Sequence, residues 1–140
     1  MTIKIRKAKG SDYEGIDNLL GNIYVKIKSK DFTKNKFVSF LKKNKSYCYV
    51  AEAKGKIIGN IFGSDDGAFT GYIQKLAVDK EYRRRGIAVK LIKIVIKEFN
   101  KNRIRIKYAH VRKDNKSSLE LFKSLGFELR DSHHLADLGY

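Results

Sequence analysis

The segment that decides the fold is 76-LAVDKEYRRRGIAVKLIK-93. A short apolar run reaches Asp79, three arginines (Arg83, Arg84, Arg85) crowd against Gly86, and an amphipathic pattern begins at once. A strand that ends, turns and opens a helix presents unsatisfied backbone N–H groups at the positive end of the helix dipole, which is an anion site. Gly86 lacks the Cβ that would block close approach of a phosphate, and small Ala88 keeps the next turn open. The arginines can add charge-assisted hydrogen bonds, so the junction suits a pyrophosphate. The spacing is neither the G-x-x-x-x-G-K-S/T of a nucleotide loop nor the G-x-G-x-x-G of a dinucleotide fold. Taken alone, the run also reads as a glycine-capped turn with solvated arginines, or as a basic nuclear-localisation or RNA-binding tract.

Outward from this junction, periodicity predicts the remaining elements. Upstream, TIKIRKA alternates as a first strand, and Ser11 with Glu14 forms a capping box that opens a helix carrying Ile16, Leu19, Leu20, Ile23 and Ile27. Gly15 and Gly21 each cost that helix about 1 kcal/mol relative to alanine if interior. A second helix is expected from Thr33 to Lys43 with Phe37, Phe40 and Leu41 on one face. From Ser46 the period becomes two: SYCYVAEA and KIIGNIFG are strands joined by a tight turn at Lys54-Gly55, and GYIQKLAVD follows the loop SDDGAFT. Downstream, Gly86 to Phe99 is helical with Ala88, Leu91, Ile92, Val95 and Phe99 apolar, and RIRIKYAHV is a strand. DNKSSLELFKSLGF is a helix capped by Asp114 or Asn115, with Leu119, Phe122 and Leu125 inward, Gly126 as its C′ glycine, and a strand expected from Phe127. The order β-α-α-β-β-β-α-β-α-β predicts one α/β (α+β) domain over residues 1–140, with a mixed, largely antiparallel sheet and helices on both faces.

Composition narrows the partners. At 140 residues the chain can bury about 68–70% of its unfolded surface without a staple, and a single cysteine, Cys48, excludes an intrachain disulfide. The start MTIKIRKAKG lacks the apolar region of a secretory signal, and no apolar run approaches a membrane span, so a soluble, cytoplasmic protein without a membrane partner is expected. Lys and Arg total 31 against 15 acidic residues, a net charge of +16. Such a charge attracts phosphate ligands, nucleic acid and acidic polypeptides alike, and codon bias toward lysine would produce it too. With 42% hydrophobic and 11% aromatic residues the chain is not disordered.

Two motifs carry a resemblance. Arg83-x-x-Gly86-x-Ala88 after LAVD resembles the R/Q-x-x-G-x-G/A acetyl-CoA motif of the GNAT superfamily of N-acetyltransferases. VRKDNKSSLELFKSLGF resembles that family's next segment, a strand ending in an asparagine, here Asn115, followed by a helix and Gly126-Phe127. The motifs stand in the family's order and separation and cover about the second half of the chain; the first half matches by pattern.

The resemblance implies acetyl-CoA as cosubstrate, no metal, and direct transfer of an acetyl group to a primary amine. It implies that the strand before the loop splays from its neighbour, so that the pantetheine arm bonds the backbone at Leu76, Ala77 and Val78, the Leu76 N–H polarising the thioester carbonyl. Backbone groups from Arg84 through Arg85, Gly86 and Ile87 to Ala88, with the Arg83 side chain, would hold the pyrophosphate. Asn115, Ser118 and Phe122 would line the far side of the arm. Two positions depart from the family. Its usual glutamate base, seven residues before Asp79, is Tyr72 here, and its usual tyrosine acid, seven after Asn115, is Phe122, which donates no proton. Positioning of reactants is then expected to carry catalysis, with Tyr72 orienting the amine, relaying a proton, or simply packing in the sheet. The acceptor could be a protein N-terminus, a lysine, a polyamine or another small amine, and the charge tilts the reading toward proteins; an acyl-CoA-binding or RNA-binding module on the same fold is the alternative.

Other residues read as structural. Cys48 lies mid-strand as a packed thiol. His133 and His134 are adjacent and only His110 remains as a third imidazole, so no metal site is expected. Asp65-Asp66-Gly67 reads first as a hairpin turn and second as a receiver for a cationic amine.

Overall fold

The computed structural model describes residues 2–23 and 32–130. Five strands, β1 (Lys4–Lys7), β2 (Tyr49–Ala53), β3 (Lys56–Asp65), β4 (Thr70–Val78) and β5 (Ile106–Ala109), form one sheet in sequence order. The first three pairings are antiparallel and β4 pairs β5 in parallel, because α3 (Ile87–Lys101) crosses over between them. The helices α1 (Tyr13–Ile23) and α2 (Lys34–Asn44) cover one face; α3 and α4 (Lys116–Ser124) cover the other.

Each face has its own core. Ile16, Leu19 and Leu20 of α1 and Phe37 and Leu41 of α2 meet Val50, Phe62 and Ala77. On the opposite face Leu91, Ile92, Val95 and Phe99 of α3 pack on Ile58, Ile61 and Ile73 with Phe122 of α4. Close seating of α3 depends on Gly71, where a Cβ would lie 2.8 Å from Cε1 and Cζ of Phe99 and 2.9 Å from Ile104 Cγ2.

The expected elements form, with local differences. Lys54 (φ 52°) and Gly55 (φ 74°) make the predicted tight turn between β2 and β3. The helix over Thr33–Lys43 is α2, with the Thr33 hydroxyl accepting from Lys36 N at 3.3 Å. The Ser11–Glu14 capping box does not form. Asp12 takes its place: its carboxylate accepts from Lys9 N (2.9 Å) and from both terminal nitrogens of Arg6 (2.8 Å each), because a strand arginine beside a buried carboxylate outcompetes a solvent-exposed serine. Burial alone would push the Asp12 carboxyl up, but the Arg6 and Lys9 hydrogen bonds and charges prevail and hold it below 3.8.

At its far end α4 closes with Phe127 N donating to Phe122 O (3.0 Å) and Gly126 N to Lys123 O (3.0 Å), a Schellman arrangement sealed by the Phe122–Phe127 ring contact at 5.1 Å. Leu121, rather than the expected Leu119, packs on the core beside Phe122 and Leu125. Residues 127–130 are not a strand, so the strand expected from Phe127 is absent over the described residues. Ile27, His133 and His134 lie outside the described residues.

Candidate active site

The site opens where β4 and β5 part. Their register runs from Thr70↔Ile106 to Ile73↔Ala109 and closes with His110 N donating to Ile73 O at 2.9 Å. Beyond Ile73 strand β4 continues to Val78 with β3 on one side and, among the described residues, no strand on the other. The splay that the resemblance implies is therefore present. Between the parted strands lies a cleft of about 500 Å³, its mouth included, lined by Gln74, Lys75 and Leu76 of β4, by His110, Val111 and Arg112, and by Asn115, Ser118 and Phe122 around α4.

Strand β4 is bulged at this cleft. Asn60 faces Ala77 and Phe62 faces Gln74, so Ile61 stands opposite Lys75 and Leu76 together. Lys75 adopts φ 56°, and the fully buried Asn60 donates its Nδ2 to the Lys75 carbonyl at 3.0 Å. Neither residue was expected in a site role. A signal existed in the polar Asn60 within the apolar run KIIGNIFG.

Past Val78 the chain makes a short 3-10 turn over Lys80–Tyr82, capped by Asp79 Oδ1 accepting from Glu81 N (3.0 Å), and enters α3 through Gly86. Gly86 has φ 74° and ψ 14°, and a Cβ built there meets no atom within 4 Å. The glycine thus serves a left-handed conformation, and the space before the helix N-terminus is open. The first turn of α3 holds no acidic residue, and the N–H groups of Ile87, Ala88 and Val89 lack intrahelical acceptors.

The three arginines have different surroundings. Arg83 Nε donates to Val78 O at 3.2 Å, tying the loop to the end of β4; Arg84 is itself left-handed (φ 62°); the Arg85 guanidinium lies 5.1 Å from the centre of the Tyr82 ring. Ala77 and Ile87 are buried in the two cores, so only their backbone can meet a ligand, and Val78 packs on the α3-side core. Asn115 caps α4, its Oδ1 accepting from Ser118 N at 3.2 Å, and both residues line the cleft.

The aromatic corner was only half legible. Tyr72 pairs in register with Tyr108, their rings 6.0 Å apart and 19° from parallel, and its ring lies 5.6 Å from that of His110. His110 is half-buried in the cleft wall, and burial lowers its pKa from 6.5, so the imidazole is neutral at pH 7. The sequence places His110 at the end of a strand, but only the parallel register brings it beside Tyr72.

The remaining candidates are structural. Cys48 is fully buried and its thiol is pushed up to about 12 by burial. Asp65 accepts from the Tyr47 hydroxyl (2.8 Å) and Gly67 N (2.8 Å), and Asp66 Oδ1 from the N–H groups of Ala68, Phe69 and Thr70, so both carboxylates are engaged in their own turn. Among the described residues no group of three or more His, Cys, Asp or Glu is placed to hold a metal ion, and no helix is long and apolar enough to cross a membrane.

Comparison with known proteins gives this architecture its class. The model of the acetyltransferase (GNAT) family matches residues 14–127, and the chain belongs to that family. It is 37% identical over 83 residues to N-alpha-acetyltransferase MAK3 of Arabidopsis thaliana, covering 57% of this chain and 44% of that protein. It is 29% identical over 107 residues to an N-alpha-acetyltransferase of Sulfurisphaera tokodaii, covering 66% and 62%. The chain thus spans about half the length of the curated relatives it matches. Its fold superposes with a TM-score of 0.80 on the PaiA N-acetyltransferase of Thermoplasma acidophilum in complex with coenzyme A, at 21% identity and covering 94% of this chain and 93% of that one.

Proposed function

We propose that this chain binds acetyl-CoA along the open edge of β4 and over the N-terminus of α3, and acetylates a primary amine, a protein N-terminal amine in preference to a small one. The observation that carries the reading is the end of β4–β5 pairing at Ile73, while β4 runs on to Val78 and delivers the chain into Gly86. An extended arm with amide groups fits beside such an edge, and an anion fits before the open helix N-terminus. Acetyl-CoA would supply an acetyl thioester activated toward amines. The backbone of Leu76, Ala77 and Val78 holds the arm, and the Leu76 N–H polarises the thioester carbonyl. Groups from Arg83 through Arg84, Arg85, Gly86 and Ile87 to Ala88 hold the pyrophosphate, with Asn115, Ser118 and Phe122 as the opposite wall.

The attacking amine must lose a proton. His110, kept neutral by burial, accepts it, and Tyr72 beside it orients the amine. Phe122 offers no proton to the departing thiolate, which water then protonates. The names of two relatives, both N-alpha-acetyltransferases, support a protein N-terminus as acceptor, and the net charge of +16 favours acidic polypeptides over polyamines. Phe122 also favours a second reading, an acyl-CoA-binding module without turnover.

Calorimetric titration with CoA and acetyl-CoA, followed by thiol release with short peptides, tests both. Saturable binding with peptide-dependent thiol release supports the transferase; binding without release from any amine leaves the module; no binding at millimolar ligand overturns both.

A further inference from the structure

Lys75 stands out within the cleft wall. Three other non-glycine residues have positive φ among the described residues, Lys54, Arg84 and Arg103, and all lie outside strands; Lys75 alone lies inside one. A left-handed residue within a strand is strained, and strain of this kind persists where surrounding structure enforces it. Here the enforcing group is Asn60, fully buried and bonded to the Lys75 carbonyl at 3.0 Å. The bulge has a clear effect. Unbroken alternation from Ile73, which packs in the α3-side core, would put residue 75 on that same face; instead Leu76 packs there and Lys75 is the extra residue.

The lysine is left in an unusual electrostatic setting. It is half-buried in the cleft, its pKa is lowered by burial alone, and it forms no ion pair with a described residue. Among the described residues no Asp or Glu lines the cleft, and the other strong cation there, Arg112, is bonded to Asp114 at 3.2 Å. A partly desolvated ammonium with no counter-charge among the described residues is complementary to an anion that arrives with a ligand. Lys75 is beside Leu76 in the cleft wall with His110, not in the Arg83–Gly86 loop, so the complementary anion belongs to the reacting end of the cleft.

On the reading of the site given above, we infer that Lys75 is a specificity-determining residue that pairs with a carboxylate carried close to the acceptor amine, so that the preferred acceptors are peptides beginning with Asp or Glu. Polycationic amines are disfavoured by the same charge. No covalent role falls to Lys75: it binds, and the acetyl group goes to the peptide amine.

The test measures kcat/KM by thiol release for peptides identical except for Asp, Ala or Lys at the first position, with free aspartate as a fourth acceptor. The wild type is expected to favour Asp over Lys by about tenfold or more. Lys75→Asn, a residue that tolerates positive φ, should bring that ratio close to one, Lys75→Glu should invert it, and Lys75→Arg should preserve it. Better turnover of free aspartate than of the Asp peptide would keep the carboxylate pairing and assign it to an amino acid. Equal use of all peptides by the wild type, or an unchanged ratio in a folded Lys75→Asn protein, overturns the inference while leaving the transferase reading intact. Absence of thiol release with every amine overturns both.

Discussion

Replacing Gly86 by Asp and by Asn separates the two reasons for a glycine at the mouth of α3. Both side chains tolerate the left-handed region, so each variant should cost about 1 kcal/mol of stability, a fall of about 3 °C in Tm. Neither should clash, because a Cβ at Gly86 meets no atom within 4 Å. The variants differ in charge. A carboxylate about 4 Å from a phosphate in a surface dielectric repels it by about 4 kcal/mol per unit charge before screening, and about 3 kcal/mol after it, which is roughly 100-fold in Kd. Calorimetric titration with CoA should therefore find Gly86→Asp about 100-fold weaker than Gly86→Asn, with the gap narrowing as salt rises. A folded Gly86→Asp protein within about threefold of Gly86→Asn would refute the placement of an anion at this helix N-terminus.

Four further outcomes are expected. His110→Gln should lower kcat about 100-fold and abolish the acid limb of the pH profile; since burial lowers the His110 pKa below 6.5 and the neutral form is active, the wild-type limb should fall below that pH, and a limb centred above it would contradict the assignment. Phe122→Tyr should raise turnover if a hydroxyl at that wall reaches the leaving sulfur, whereas no gain at matched CoA affinity would mean that protonation occurs elsewhere. Asp12→Asn should cost about 2 kcal/mol in urea unfolding at pH 7 by leaving the Arg6 charge poorly paired. Because the folded pKa of Asp12 lies below 3.8, its contribution is full above that value and fades as pH falls through the folded pKa, so a variant deficit that persists unchanged into strong acid would contradict the assignment. Gly71→Ala should lose about 1–3 kcal/mol by driving a methyl into Phe99 and Ile104, and an unchanged Tm would show that α3 can shift to admit it.

Elements with strong periodicity were legible without tertiary information. The stripe Leu91, Ile92, Val95 and Phe99 reads as a helix whatever it packs against, and Lys54-Gly55 reads as a tight turn from local backbone preference alone. Gly126-Phe127 likewise announces a helix end. The capping box was misread because Ser11 and Asp12 compete locally for the same role, and Arg6, contributed by β1, decided the contest. The expected strand after Phe127 failed over residues 127–130, since a short alternating run carries no information about the ladder it must join.

For the site, the sequence by itself determined the junction at which we propose anion binding, since glycine, arginines and helix start are consecutive and their chemistry is local. It also determined that Tyr72 and Phe122 stand where acid–base groups would be expected from the family. What only the tertiary structure decided is which distant groups meet in the wall of the cleft. The parallel register of β4 and β5 sets His110 beside Tyr72, and the Asn60 hydrogen bond holds Lys75 out of strand alternation. Those contacts join residues far apart in the chain, and a strand's register against its neighbour is fixed by packing of both faces of the sheet, which no local pattern encodes.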